Sequence, residues 1–230
     1  MSALVSYTLQ ENIAVLTLNN GKVNAVSPDL IREFNAALDQ AEQDQAVVVI
    51  TGQPGILSAG YDLKVMKSSP DAMLDLVAAG STLSRRLLAF PTPVIMVCTG
   101  HAVAKGAFLL LSADYRIGVE GAFSSGLNEV AIGMTMHHVG IELARYRLVP
   151  AWFQRSVINA EMFDPQAACA AGFLDEVVAA DAVLETALRK AAQLAKLDLK
   201  AHANTKRKTR KALLETLDWA IAEDRRHNLF

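Results

Sequence analysis

Short apolar runs alternate along the chain with stretches of helical spacing. Ile13-Ala14-Val15-Leu16-Thr17-Leu18 predicts a strand, and Ala46-Val47-Val48-Val49-Ile50-Thr51 predicts one covered on both faces. Between them, Ser27-Pro28-Asp29 offers an N-cap, a proline at the first helical position and an acid in the first turn. Leu30, Phe34, Leu38 and Ala41 then follow at helical spacing. Gly52-Gln53-Pro54-Gly55 predicts a loop, and Ser69-Pro70 opens a helix that runs to about Ala89. A strand at Val94–Cys98, an apolar helix over 106–113 and a strand at Tyr115–Val119 come next. Asp164-Pro165 opens a further helix, which Gly172 closes. This is the pattern of an α/β chain built from βαβ units. From Asp181 the pattern changes to two helices without a strand, roughly 181–197 and 203–226. The expected division is a core over 1–180 and a helical region over 181–230.

Composition narrows the classes. Of 230 residues, 52% are apolar and 20% charged, which excludes disorder, collagen-like repeats and a disulfide scaffold. The net charge of −2 favours neither nucleic acid nor an anionic membrane as a partner. Cys98 and Cys169 lie far apart with no metal-ligand spacing, so no metal site and a reducing, cytoplasmic location are expected. The start, Met1-Ser2-Ala3-Leu4-Val5, has no basic segment and no long apolar segment, so no secretory leader is expected. Residues 87–104 carry no charge, but Pro91, Pro93 and Gly100 interrupt them, which predicts a buried strand rather than a membrane span. Residues 196–211 hold seven Lys or Arg against one acid, Asp198. A solvated helix face is the plain explanation, and a site for the phosphates of a small ligand is the sharper one. Nucleic acid fits poorly, because no aromatic side chains are interleaved for base stacking.

Three segments carry candidate chemistry. Ser58-Ala59-Gly60-Tyr61-Asp62-Leu63-Lys64 follows a strand and leads towards a helix, with small residues that let a ligand approach the backbone. In Pro93-Val94-Ile95-Met96-Val97-Cys98-Thr99-Gly100-His101-Ala102-Val103-Ala104-Lys105-Gly106-Ala107-Phe108 a strand again ends in a small-residue loop that feeds a helix. Two such turns can place two backbone N–H donors around one oxygen. In Asn128-Glu129-Val130-Ala131-Ile132-Gly133, Glu129 lies between apolar neighbours, where a carboxylate is either paired or raised in pKa for proton transfer. His137-His138 has no third ligand in spacing, and surface placement or local hydrogen bonding is expected for the pair. A helix-start role is expected for Asp62, and no nucleophile role for Ser124 or Ser125.

In this order and spacing, the three segments resemble the crotonase superfamily, the enoyl-CoA hydratase/isomerase family. The resemblance runs from Asn24-Ala25 to Val177-Val178. It implies an α/β spiral of ββα repeats with a helical C-terminal trimerisation region, hence a homotrimer or hexamer. It implies an acyl-CoA thioester as substrate, with coenzyme A part of the substrate and no separate cofactor. The thioester oxygen would be held by the backbone N–H groups of Ala59 and Lys105, and Glu129 would be the acid/base. Ser58, Gly60, Tyr61 and Phe108 would line the substrate site, and Lys22 and Val23 would belong to the loop along coenzyme A. Lys105 stands where members usually carry glycine; its side chain is either solvated or reaches a coenzyme A phosphate. Phe108 stands where hydratases carry a second glutamate, and His101 stands where members often carry an aromatic, which implies a packing role. Hydration uses two carboxylates, whereas moving a double bond from the 3,4 to the 2,3 position needs one base. An enoyl-CoA isomerase is therefore expected, with a hydratase or a non-catalytic acyl-CoA-binding protein as the alternatives. The C-terminal helices, through Leu188, Leu194, Leu213, Leu217, Trp219 and Ile221, are expected to bury apolar surface against the core and neighbouring subunits.

Overall fold

The structure is a computed structural model that describes residues 3–226; the outermost ends of the two expected regions, residues 1–2 and 227–230, lie outside the described residues. Strands β1 (Val5–Gln10) and β2 (Ile13–Leu18) precede helix α1 (Pro28–Gln43). Strands β3 (Val47–Thr51) and β4 (Gly55–Ser58) precede α2 (Leu63–Met66) and α3 (Pro70–Ala89), and β5 (Val94–Cys98) and β6 (Gly100–Val103) precede α4 (Lys105–Leu111). Then come β7 (Tyr115–Val119), β8 (Ser125–Gly126), a single 3-10 turn at Val130–Ile132, α5 (His138–Arg147) and α6 (Pro150–Val157). Strand β9 (Met162–Phe163), α7 (Pro165–Ala171), β10 (Glu176–Val178), α8 (Val183–Leu194) and α9 (Leu199–Asp224) complete the described chain.

The strands form two sheets, ordered β1-β2-β3-β5-β7-β10 and β4-β6-β8-β9. Each turn of the chain leaves one strand in each sheet: β3 then β4, β5 then β6, β7 then β8. The order is the same in both sheets, so the turns stack as a spiral of ββα units. The alternation along the sequence correctly indicated an α/β chain, but it left out the second strand of each pair. The second strands are short, with four residues in β4 and in β6 and two in β8. Such lengths leave little periodicity to detect.

The apolar runs are continuous because the large sheet is covered on both faces. Val48, Ile50, Val94 and Met96 join the cluster under α1 and α3. Val47, Val49, Ile95, Val97 and Ile117 face the other way and pack under Val183, Ala187 and Ala191 of α8. Helix α1 starts as expected, with Ser27 Oγ accepting from the Leu30 N–H at 3.1 Å. Helix α9 packs on α3 and α5; Leu217 and Ala220 are buried and Trp219 is exposed.

The basic cluster divides. Lys196, Lys200, Arg207, Lys208 and Lys211 are exposed, as a solvated face requires. Lys206 and Arg210 are buried instead, and both bond to Asp114, at 2.6 and 2.8 Å. They also donate to the carbonyls of Thr92 and Leu88, which fastens α9 to the ends of α3 and β5. Among the described residues no helix is long and apolar enough to cross a membrane.

Candidate active site

The site arises where three strands of the small sheet run out side by side. Strand β4 pairs with β6 in parallel, Ser58 opposite Ala102, and β6 pairs with β8, Ala102 opposite Ser125. Their continuations, residues 59–61, 104–105 and 127–129, therefore emerge together. All three candidate segments of the sequence meet at this point. The cavity there measures about 150 Å³; Ala59, Tyr61, Ala104 and Glu129 line it, beside Leu63, Met66 and Val77. Asn128, Ile132, Met134 and His137 complete the wall.

The backbone decides which N–H groups are available. The Ala59 N–H donates to Val23 O at 3.0 Å, so Ala59 lines the cavity but has no free donor. This corrects the expectation that its N–H holds a substrate oxygen. Val26 N donates to Gly60 O at 2.8 Å and Asp62 N donates to Val26 O at 3.0 Å. This parallel bridge turns the intervening Tyr61 N–H to the opposite side. Among the described residues, neither the Tyr61 N–H nor the Lys105 N–H has a hydrogen-bond partner. Gly60 joins the two segments: its φ is +107°, and a Cβ on it would stand 3.0 Å from Ala104 Cβ and 3.6 Å from Lys105 N. Ser58 is fully buried and its Oγ accepts from Gly60 N, so it shapes this turn rather than touching a ligand.

Lys105 is the first residue of α4, and the unusual backbone falls on Ala104, at φ 51° and ψ −119°. The Lys105 side chain is neither solvated nor free to reach a phosphate. It is 1% exposed, and Nζ donates to Gly80 O and Ser84 Oγ, each at 2.6 Å. Burial lowers its pKa to about 7.

Glu129 follows β8 and immediately precedes the 3-10 turn. It is 6% exposed, and burial raises its pKa to about 7. Glu129 Oε2 and Asn128 Oδ1 are buried without a hydrogen-bond partner. These unpaired carboxylate and amide oxygens in the cavity wall are free to bond to a ligand or to water.

Phe108 does not line the cavity. It is buried in the core and packs edge-on against His137 at 5.2 Å, one layer behind the wall. The expectation that Phe108 contacts substrate is corrected accordingly. His137 reaches the wall, which the sequence did not indicate for a residue expected at the surface or in local hydrogen bonding. Burial, opposed by Asp224, lowers its pKa to about 4 and leaves it neutral at neutral pH. His138 bonds to Asp224 at 2.8 Å, a partner far along the chain rather than the local one expected. His101 packs as expected, accepting from Ser124 N and meeting Phe123 edge-on. Asp62 caps α2 through Lys64 N at 2.8 Å. Lys22 and Val23 are exposed and lie outside the cavity wall, and the Val23 carbonyl accepts from the Ala59 N–H. Asn24, buried at φ 50°, anchors their loop through Leu18 O and Leu57 O.

Comparison with known proteins agrees with this arrangement. The family model described as enoyl-CoA hydratase/isomerase matches residues 8–228. A solved Pseudomonas syringae protein of the enoyl-CoA hydratase/isomerase family is 68% identical, with a TM-score of 0.97 and 98% of each chain covered. A solved Mycobacterium tuberculosis enoyl-CoA isomerase is 39% identical, with a TM-score of 0.93 over 97% of this chain and 98% of that one. A probable enoyl-CoA hydratase of Bacillus subtilis is 34% identical over 62% of this chain, and the match spans 57% of that relative's length. With the spiral of ββα turns and the three converging strand ends, these matches show that the chain belongs to the enoyl-CoA hydratase/isomerase family of the crotonase superfamily.

Proposed function

We propose that the protein is an enoyl-CoA isomerase that moves a double bond from the 3,4 to the 2,3 position of an acyl-CoA thioester. The observation that carries this reading is a cavity wall with, among the described residues, one carboxylate, Glu129, and a buried phenylalanine at position 108. Glu129 takes a proton from C2, and the electrons of that C–H bond delocalise into a dienolate whose charge rests on the thioester oxygen. The Tyr61 and Lys105 N–H groups hold that oxygen, and they bind it more tightly as charge develops. Protonated Glu129 then returns the proton to C4. A pKa near 7 suits a group that must act first as base and then as acid. Hydration needs a second group to hold and deprotonate water. The other titratable side chains in the wall are His137, neutral at neutral pH, and Tyr61, whose hydroxyl donates to Val77 O at 3.3 Å. We further propose a trimer, with the exposed Trp219, Leu184 and Leu197 in or near subunit contacts.

The test is incubation in D2O with 3-hexenoyl-CoA and, separately, 2-hexenoyl-CoA. Isomerisation yields 2-hexenoyl-CoA with label confined to C2 and C4. Rapid formation of 3-hydroxyhexanoyl-CoA from the 2-enoyl substrate, with the 3-enoyl substrate untouched, would replace this reading by the hydratase. Binding without turnover of either would favour an acyl-CoA-binding role.

A further inference from the structure

We propose that the buried Lys105 side chain is a positioning residue for the oxyanion hole, locking both N–H donors onto α3 and adding positive charge behind the thioester oxygen. The inference rests on the proposed oxyanion site. Helix α3 receives both donor residues on one face. Lys105 Nζ bonds to Gly80 O and Ser84 Oγ, and the Tyr61 hydroxyl donates to Val77 O, one turn away. Gly80 makes this possible, because a Cβ there would lie 2.3 Å from the Tyr61 hydroxyl oxygen. Lys105 Nζ lies 6.0 Å from the centre of the Tyr61 ring. The two donor residues are thus held by their side chains against the same helical turns.

The charge is the feature that packing alone does not explain. Among the described residues no carboxylate pairs with Lys105. The titratable groups around it are Tyr61, from the segment after β4, and His137 at the start of α5. Helix α4 has no other titratable side chain, and the arginines of α3 turn away, Arg85 to Asp218 and Arg86 to Asp39. His101 of β6 bonds to Ser124 N instead. An uncompensated buried ammonium is costly, and a methionine would fill similar space without that cost. In a low-dielectric interior such a charge acts over several ångströms on an oxygen that becomes negative. With the pKa near 7, the amine alternates between charged and neutral across the physiological range.

The test uses hexanoyl-CoA, which cannot isomerise, labelled with carbon-13 at the thioester carbonyl and bound to the Glu129→Gln protein. That background removes the titration of Glu129. Infrared spectroscopy should show the carbonyl stretch rising as pH goes from about 5.5 to about 8.5, because the ammonium loses its proton and polarises the carbonyl less. Adding Lys105→Met should make the stretch independent of pH. Adding Ser84→Ala, which removes one acceptor of the ammonium, should move the transition to lower pH and supplies a second variant if Lys105→Met does not fold. In otherwise wild-type protein, Lys105→Met should lower kcat about tenfold with KM little changed. A stretch without pH dependence in the Glu129→Gln protein, or the same dependence after Lys105→Met, would overturn the inference and leave the proposed isomerase intact. Failure of the wild type to bind hexanoyl-CoA would overturn both.

Discussion

Glu129 sits where burial works against folding and in favour of proton transfer. Its folded-state pKa of about 7 lies above the ordinary value of 4.5, so folding favours the protonated form. The resulting penalty is absent below the unfolded value, grows between the two values, and is complete above about 7. Glu129→Gln should therefore stabilise the fold by up to about 3 kcal/mol at alkaline pH and very little near pH 4.5. Thermal melts at the two pH values check this; equal shifts at both would mean that the carboxyl ionises freely in the fold. The same substitution should lower isomerisation by about 10²–10⁴. Gly60 is the second sensitive residue. A side chain at φ +107° is strained and would press on Ala104, so Gly60→Ala should cost about 1–3 kcal/mol and disturb both donors. An unchanged melting temperature with full kcat would show that the turn tolerates a Cβ.

At the scale of elements, the end of α9 supports the start of α5. Asp224 is buried; its carboxylate accepts from His138 N at 2.7 Å and Val139 N at 3.0 Å, satisfying two N–H groups at that helix start. His137, beside them, lines the cavity. Asp224→Ala should cost about 1–2 kcal/mol, read as a lower urea midpoint; an unchanged midpoint would mean that solvent replaces the cap. Such tertiary caps are invisible in a sequence, because Asp224 and His138 are far apart along the chain. Strands β2, β3, β5 and β7 of the large sheet were legible as short, mostly apolar runs, whereas the three-residue β10 was not. Strand β1 was missed because its outer face is exposed and its residues mixed, and β4, β6 and β8 because they are short. The three site segments were legible through their small residues and Glu129. The donor at 59 or 61 was not, because the Val23 carbonyl decides it from another loop. The burial of Lys105, Lys206 and Arg210 was hidden for a related reason: polarity along the chain does not reveal which cations find partners inside.

The whole molecule is a stack of turns whose strand ends open on one side, where α2, α3 and the segment leading into α5 wall the cavity. Helix α8 covers the far face of the large sheet, so the C-terminal helices complete the core while leaving Trp219 and Leu184 exposed. Light scattering in dilute solution should give three times the chain mass or a multiple of it; a monomer would place those side chains in solvent. One experiment bears most directly on the single-base isomerase: the time course of 3-hexenoyl-CoA and 2-hexenoyl-CoA with wild type and Glu129→Gln, all four reactions resolved by product. Wild type should convert the 3-enoyl to the 2-enoyl thioester without accumulating 3-hydroxyhexanoyl-CoA, and Glu129→Gln should be slower by about 10² or more. Rapid hydration of the 2-enoyl thioester by wild type, or isomerisation undiminished in Glu129→Gln, would contradict it.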